Sequence, residues 1–284
     1  MDGHEAFLQA AGGQAGRVAE LIEGRARRES PIERALVDLA RKTSEQPKHL
    51  GPADLDPLRS LVGDGAIDYT LVVGGFHFIN RIADLLHVDP EALPEPLRRL
   101  EPLRRMMVWA SSRMMRRMDL GNRRYPQTFE QALQAARAGF EDMDAGALAD
   151  AFGPVRSRPK IVEAMRHAIE ERDQRSMLDR ATIASIHAAV EDALPASRAD
   201  VEGFHPRPAD PVAAFAFVGT RYAARTTEQM IARLREAGYD DLGVLDLAIA
   251  VADANQWARM HRLLGLPAEI FYLEASGLPA QATA

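Results

Sequence analysis

The sequence predicts an all-α protein. Its 284 residues are rich in Ala, Leu and Arg, the strong helix formers, rather than in β-branched and aromatic types. Its apolar residues recur mostly at spacings of three and four. Its breaks carry helix punctuation: Ser, Thr or Asp before a helix and Gly or Pro after it.

The elements follow in order. Glu5 to Glu23 carries Phe7, Leu8, Val18, Leu21 and Ile22 at helical spacing, and Gly12-Gly13 splits it into two short helices. Ser30-Pro31-Ile32-Glu33 supplies an N-cap, a proline at N1 and a glutamate at N3 ahead of Ala35, Leu36, Leu39 and Ala40. Pro47 to Pro57 reads as a loop leading to a short helix over 58–62. Residues 66–88 are the most apolar stretch, closed by Asp89-Pro90, and are too long for a strand, which predicts a buried helix. Helices are also expected over 128–151, 158–173 and 176–194, then a loop from Pro195 to Pro211. The chain ends in an apolar segment over 212–218, a Thr227-capped helix closed by Gly238, and a last long helix over 242–264.

Between Pro96 and Arg124 there are nine arginines against only Glu101 and Asp119, with five of the chain's eleven methionines. Paired arginines such as Arg98-Arg99 and Arg116-Arg117 could engage phosphates, but base-stacking aromatics are limited to Trp109 and Tyr125, and the net charge of −6 opposes a nucleic-acid binder. The methionines read instead as an adaptable apolar face for another helix or a subunit neighbour. No nucleic acid is expected as partner. No uninterrupted apolar run approaches the roughly 18 residues of a membrane span, and the start lacks a basic region followed by an apolar one. The expected location is therefore cytoplasmic, without a membrane partner.

Shifted by 178 positions, the chain matches itself: Ile67-Asp68 falls on Leu245-Asp246, Leu71 on Ile249, His77 on Asn255, Arg81 on Arg259 and Leu86 on Leu264. A Leu-Arg pair precedes each copy, Leu58-Arg59 and Leu234-Arg235. A helix–turn–long helix unit thus occurs twice, giving a division into residues 1–92 as first repeat, 93–173 as an Arg- and Met-rich connector, and 174–284 as second repeat.

The segments SPIERALVDLARK (30–42), FHFINRIADLLHV (76–88) and LDLAIAVADANQWARMHRLLGLP (245–267) resemble the AhpD-like group of the alkylhydroperoxidase and carboxymuconolactone decarboxylase superfamily. Leu178-Asp179-Arg180 resembles the start of that group's motif-bearing helix. The resemblance implies a duplicated AhpD-like helical bundle and a homo-oligomer. Peroxide-reducing members use a Cys-x-x-Cys pair followed by a histidine, one thiolate attacking and its neighbour resolving the sulfenic acid. This chain has no cysteine, and the positions seven and four before His187 are Arg180 and Ile183. Thiol-peroxidase chemistry is excluded, and with it disulfides and thiolate metal sites.

The remaining chemistry lies in polar stripes. His77, Asn80, Arg81 and Asp84 fall at i, i+3, i+4 and i+7 of an apolar helix. Facing a pocket, His77 would serve as acid or base with Asn80 and Asp84 beside it, while Arg81 from this helix and Arg259 and Asn255 from the second would bind a small carboxylate. The competing interpretation is a satisfied network holding the repeats together, with Arg81 paired to Asp84. His187 and Glu191 share a face, but two ligands do not make a metal site and none is expected. Arg221, Tyr222 and Arg225 read as a substrate clamp or a solvated helix start. No phosphate loop, dinucleotide fingerprint or serine triad stands out, so no cofactor is expected. The sequence thus leaves two functions open: a cofactor-free acid/base enzyme acting on a small anionic molecule, or a non-catalytic relative serving as an interaction module.

Overall fold

A computed structural model describes residues 30–88, 126–137, 140, 143–203, 205, 207–268 and 270. The expected helices over 5–23, the Arg- and Met-rich segment and the C-terminal tail lie outside them. The described residues from 31 to 87 and from 126 to 270 belong to one compact unit, which draws on all three expected segments.

The described residues are all-α, with helices and short 3-10 turns and no strand among them. In chain order the helices are α1 (Pro31–Glu45), α2 (Asp56–Val62), α3 (Gly65–Leu85), α4 (Phe129–Ala136), α5 (Ala145–Ala151), α6 (Pro159–Arg175), α7 (Arg180–Ala193), α8 (Arg198–Glu202), α9 (Pro211–Arg221), α10 (Glu228–Glu236) and α11 (Asp241–Leu264). Local chemistry sets most of the starts. Side chains of Asp179, Asp210, Thr227 and Asp240 each accept a hydrogen bond from a backbone N–H of the first turn of α7, α9, α10 and α11. Gly265 stops α11 at φ +68° in the left-handed region, where it caps the last turn.

Three expectations are corrected. The helix foreseen over 128–151 is two, because the Asp144 carboxylate accepts from the N–H groups of Gly146 and Ala147 and starts a new helix there. The loop over 195–211 contains α8, which Ser197 caps at Asp200 N. Finally, α3 is a helix as foreseen but not buried all round: Val72 and Ile79 are exposed.

Two apolar clusters make the core. One joins α1, α2, the start of α3, α4 to α6 and the end of α11 through Leu58, Ile67, Phe152, Met165 and Trp257. The other joins Leu85 of α3 to α7, α9, α10 and α11 through Ile186, Phe215, Leu234 and Val251. Both clusters therefore depend on α3 and α11, which pack extensively on each other. The pair is antiparallel: Gly74 lies against Gln256 and Met260, whereas Leu85 and Val251 meet at Gly219. A Cβ at Gly74 would sit 2.9 Å from Met260 Cγ, so the close approach of the two helices uses the missing side chain.

Candidate functional site: a buried polar crossing

Where α3 and α11 cross, polar side chains from both meet the ends of α1 and α9. His77 Nε2 lies 3.0 Å from Thr43 Oγ1, and His77 Nδ1 lies 3.2 Å from Arg81 Nη1. Arg81 donates from Nε to the Gly219 carbonyl and from Nη2 to the Thr220 carbonyl, each at 3.0 Å. Across the crossing, Asn255 Nδ2 donates to Thr220 Oγ1 at 3.0 Å. Arg259 donates from Nη1 to Asn255 Oδ1 at 2.9 Å and from Nε to the Thr43 carbonyl at 2.9 Å.

The path closes on itself. It runs from Thr43 to His77, Arg81, Thr220, Asn255, Arg259 and back to Thr43, through four helices. Its two halves do the same thing: a threonine hydroxyl meets His77 or Asn255, the arginine four residues later bonds that same side chain, and its guanidinium then reaches the opposite threonine's carbonyl. Both hydroxyls are themselves spent on their own helices, Thr43 donating to Ala40 O and Thr220 to Ala216 O, each at 2.8 Å.

These partners fix the histidine's chemistry. A guanidinium only donates, so Nδ1 must be the acceptor and Nε2 must carry the hydrogen given to Thr43. Neither ring nitrogen has a free lone pair. Burial, then the charges of Arg259 and Arg81, push the His77 pKa well below its ordinary value, leaving a neutral ring at pH 7. Burial lowers Arg81 to about 10, opposed by the charge of Asp84. Arg259 is 1% exposed; burial and then Arg81 and Arg262 depress its pKa, while Glu191 raises it. Both guanidinia remain protonated at neutral pH, solvated here by carbonyl and amide oxygens rather than by a carboxylate.

Of the six expected site residues, the structure gathers His77, Arg81, Asn255 and Arg259. Asn80 and Asp84 it leaves exposed on the outer side of α3. The foreseen Arg81–Asp84 pair is replaced by the α9 carbonyls, because Arg81 points inward across the crossing while Asp84 points to solvent. Thr43, Gly219 and Thr220 were not singled out from the sequence; their contribution is mainly backbone carbonyl oxygen, which no residue pattern announces.

The other candidates are tied up elsewhere. Glu191 is gripped by both Arg262 Nη atoms, Nη1 at 3.1 Å, with His261 Nε2 3.8 Å away, so it joins α7 to α11. Arg221 binds Asp200 through Nη1 at 3.2 Å and lies over the Phe217 ring, and Arg225 lies over the Tyr222 ring. Tyr222 donates to the Gly203 carbonyl at 2.9 Å. Among the described residues no three His, Cys, Asp or Glu side chains converge as metal ligands, and no helix is long and apolar enough to cross a membrane. Comparison with family models, curated proteins and solved structures returns no match.

Proposed function

We propose that this chain is a duplicated AhpD-like scaffold that has given up catalysis at its helix crossing and works as an interaction module. One observation carries the reading: His77, Arg81, Asn255 and Arg259 are hydrogen-bonded to one another, to the Thr43 and Thr220 hydroxyls and to backbone oxygens, with both His77 ring nitrogens engaged. A general base needs a free lone pair within reach of substrate, and His77 offers none. The duplication is supported by the recurrence of a helix, a 3-10 connection (two turns in the first set, one in the second), a short helix and a long helix in α1–α3 and in α9–α11, and by the matching halves of the polar crossing.

The interaction surface is the outer face of α11, where Leu242, Leu245 and Ile249 are 61%, 39% and 37% exposed at i, i+3 and i+7. Met177, 62% exposed, stands beside them, since its N–H bonds the Asp246 carboxylate. Such a stripe is what a second copy of the chain would cover. Light scattering then gives a multiple of the 31.2 kDa chain mass, and Leu245→Asp reduces it to one chain; a monomeric wild type contradicts this face as an interface.

The enzyme reading has one observation in its favour. Two cations share the crossing with no carboxylate bonded to either among the described residues, and His77 and Arg81 keep part of their surface in solvent. A small carboxylate would have to displace the Gly219 and Thr220 carbonyls from Arg81. Thermal denaturation with millimolar acetate, benzoate or phthalate separates the two: no shift is expected of the scaffold, whereas stabilisation that Arg81→Ala abolishes favours a ligand site.

A further inference from the structure

The two halves of the crossing differ at one chemically decisive position. Where one half holds a titratable ring, His77, the other holds an amide, Asn255, making the same pair of contacts: a donor to a threonine hydroxyl and an acceptor for an arginine. The geometry points to an acid-sensitive joint in which protonation of His77 Nδ1 releases α3 from α1 and α9, while the Asn255 half, having nothing to protonate, stays closed.

The proton comes from solvent and takes the lone pair that Arg81 Nη1 now uses. Two N–H donors then face each other across 3.2 Å, and the acceptor that oriented Arg81 toward the Gly219 and Thr220 carbonyls is gone. Among the described residues no anion bonds the ring to absorb the new charge. On α3 the facing charged group is Arg81, with exposed Asp84 acting on it; on α11 it is Arg259, itself influenced by Arg262 and by Glu191 of α7. From α1 the ring meets the Thr43 hydroxyl, and α9 presents carbonyls to Arg81. The protonated ring is therefore tolerated only if it moves toward solvent, which its partial exposure permits. Moving it severs the link to Thr43 as well, so α3 loses its tie to α1 while Arg81 loses the acceptor that holds it in register with the α9 carbonyls. Acidification would thus loosen one half of a two-part joint, independently of whether the scaffold binds a second copy.

The test is hydrogen–deuterium exchange of the full chain at pH 7.5 and pH 5.0, corrected for intrinsic rates, read in peptides from α3 and α9. Each pKa unit by which the open joint binds a proton more tightly than the closed one changes the opening ratio about tenfold. Wild-type protection in those peptides should fall about tenfold or more at pH 5.0, and His77→Asn, copying the Asn255 half, should hold it within about twofold by the same relation. An equal loss in both proteins, or none in wild type, overturns the proposal. Asn255→His gives a second route that does not require His77→Asn to fold: it should extend the acid-induced loss to peptides of α11, and a response unchanged from wild type there overturns the proposal equally.

Discussion

Replacing Arg259 with alanine removes the group that ties α11 to α1. The side chain is 1% exposed and donates to the Thr43 carbonyl, the Asn255 carbonyl and Asn255 Oδ1 at 2.8 to 2.9 Å. The Asn255 carbonyl lies inside α11 and retains its helical partner. The Thr43 carbonyl and Asn255 Oδ1 lose theirs, and a buried acceptor without a partner costs about 1–3 kcal/mol. Two of them, with the void left by the side chain, give about 3–6 kcal/mol. Relief of burying a cation near Arg81 and Arg262 offsets part of this, leaving about 3–5 kcal/mol, the range seen on breaking a buried charged contact. For a chain of this size that corresponds to a fall in Tm of about 6–20 °C. Thermal unfolding followed by circular dichroism reads it directly. A shift below about 2 °C, or a rise, would refute the reasoning, because the guanidinium would then contribute nothing to the crossing that water or rearrangement could not replace.

Other outcomes follow from the same contacts. Gly219→Ala puts a Cβ 2.7 Å from Val251 Cγ1 and 3.1 Å from Leu85 Cδ2, so it should destabilise the protein by about 1–3 kcal/mol in urea unfolding; a neutral result would mean that α9 can move away from α3 and α11 freely. For Glu191, burial pushes the pKa up, but the neighbouring His261 and the hydrogen bonds and charge of Arg262 outweigh it and lower the pKa from 4.5 to about 2. Its folded-state pKa is depressed, so its stabilisation is complete above about pH 4.5 and is lost as pH falls toward 2. Glu191→Gln should accordingly flatten the stability loss between pH 5 and pH 3, and parallel curves for the two proteins would contradict this. Gly265→Ala, forced to φ +68° with its Cβ 3.0 Å from Pro52 Cγ, should lower Tm, whereas Gly265→Asn should be milder because asparagine tolerates that region.

Helix positions were legible because their signals are local. Pro31 opens α1, Thr227 caps α10, and Gly238 follows α10 with φ +101°, each as the residue types foretell. The 178-residue offset placed His77, Arg81, Asn255 and Arg259 in matching positions, and the structure brings all four to one crossing. What could not be read was which way each polar side chain points. Asn80 and Asp84 share a stripe with His77 and Arg81, yet a helix turns 100° per residue, and the four spread far enough for α11 and α9 to cover two and leave two in solvent. Nor could the acceptors be foreseen, since Arg81 bonds to the carbonyls of Gly219 and Thr220 and any residue there supplies that oxygen. The split of 128–151 into α4 and α5 was missed for a related reason: the aspartate at 144 is a capping residue set among good helix formers, and only packing shows that the cap is used.

The central claim is that the crossing is consumed internally, and the nitrogen chemical shifts of the His77 ring in the full-length protein test it most directly. At pH 7.5 the account predicts a neutral ring protonated at Nε2, with Nδ1 a hydrogen-bond acceptor, and no change when millimolar benzoate is added. A ring protonated at Nδ1, or shifts that move saturably with the carboxylate, would contradict it and restore His77 and Arg81 as a site for a small anion.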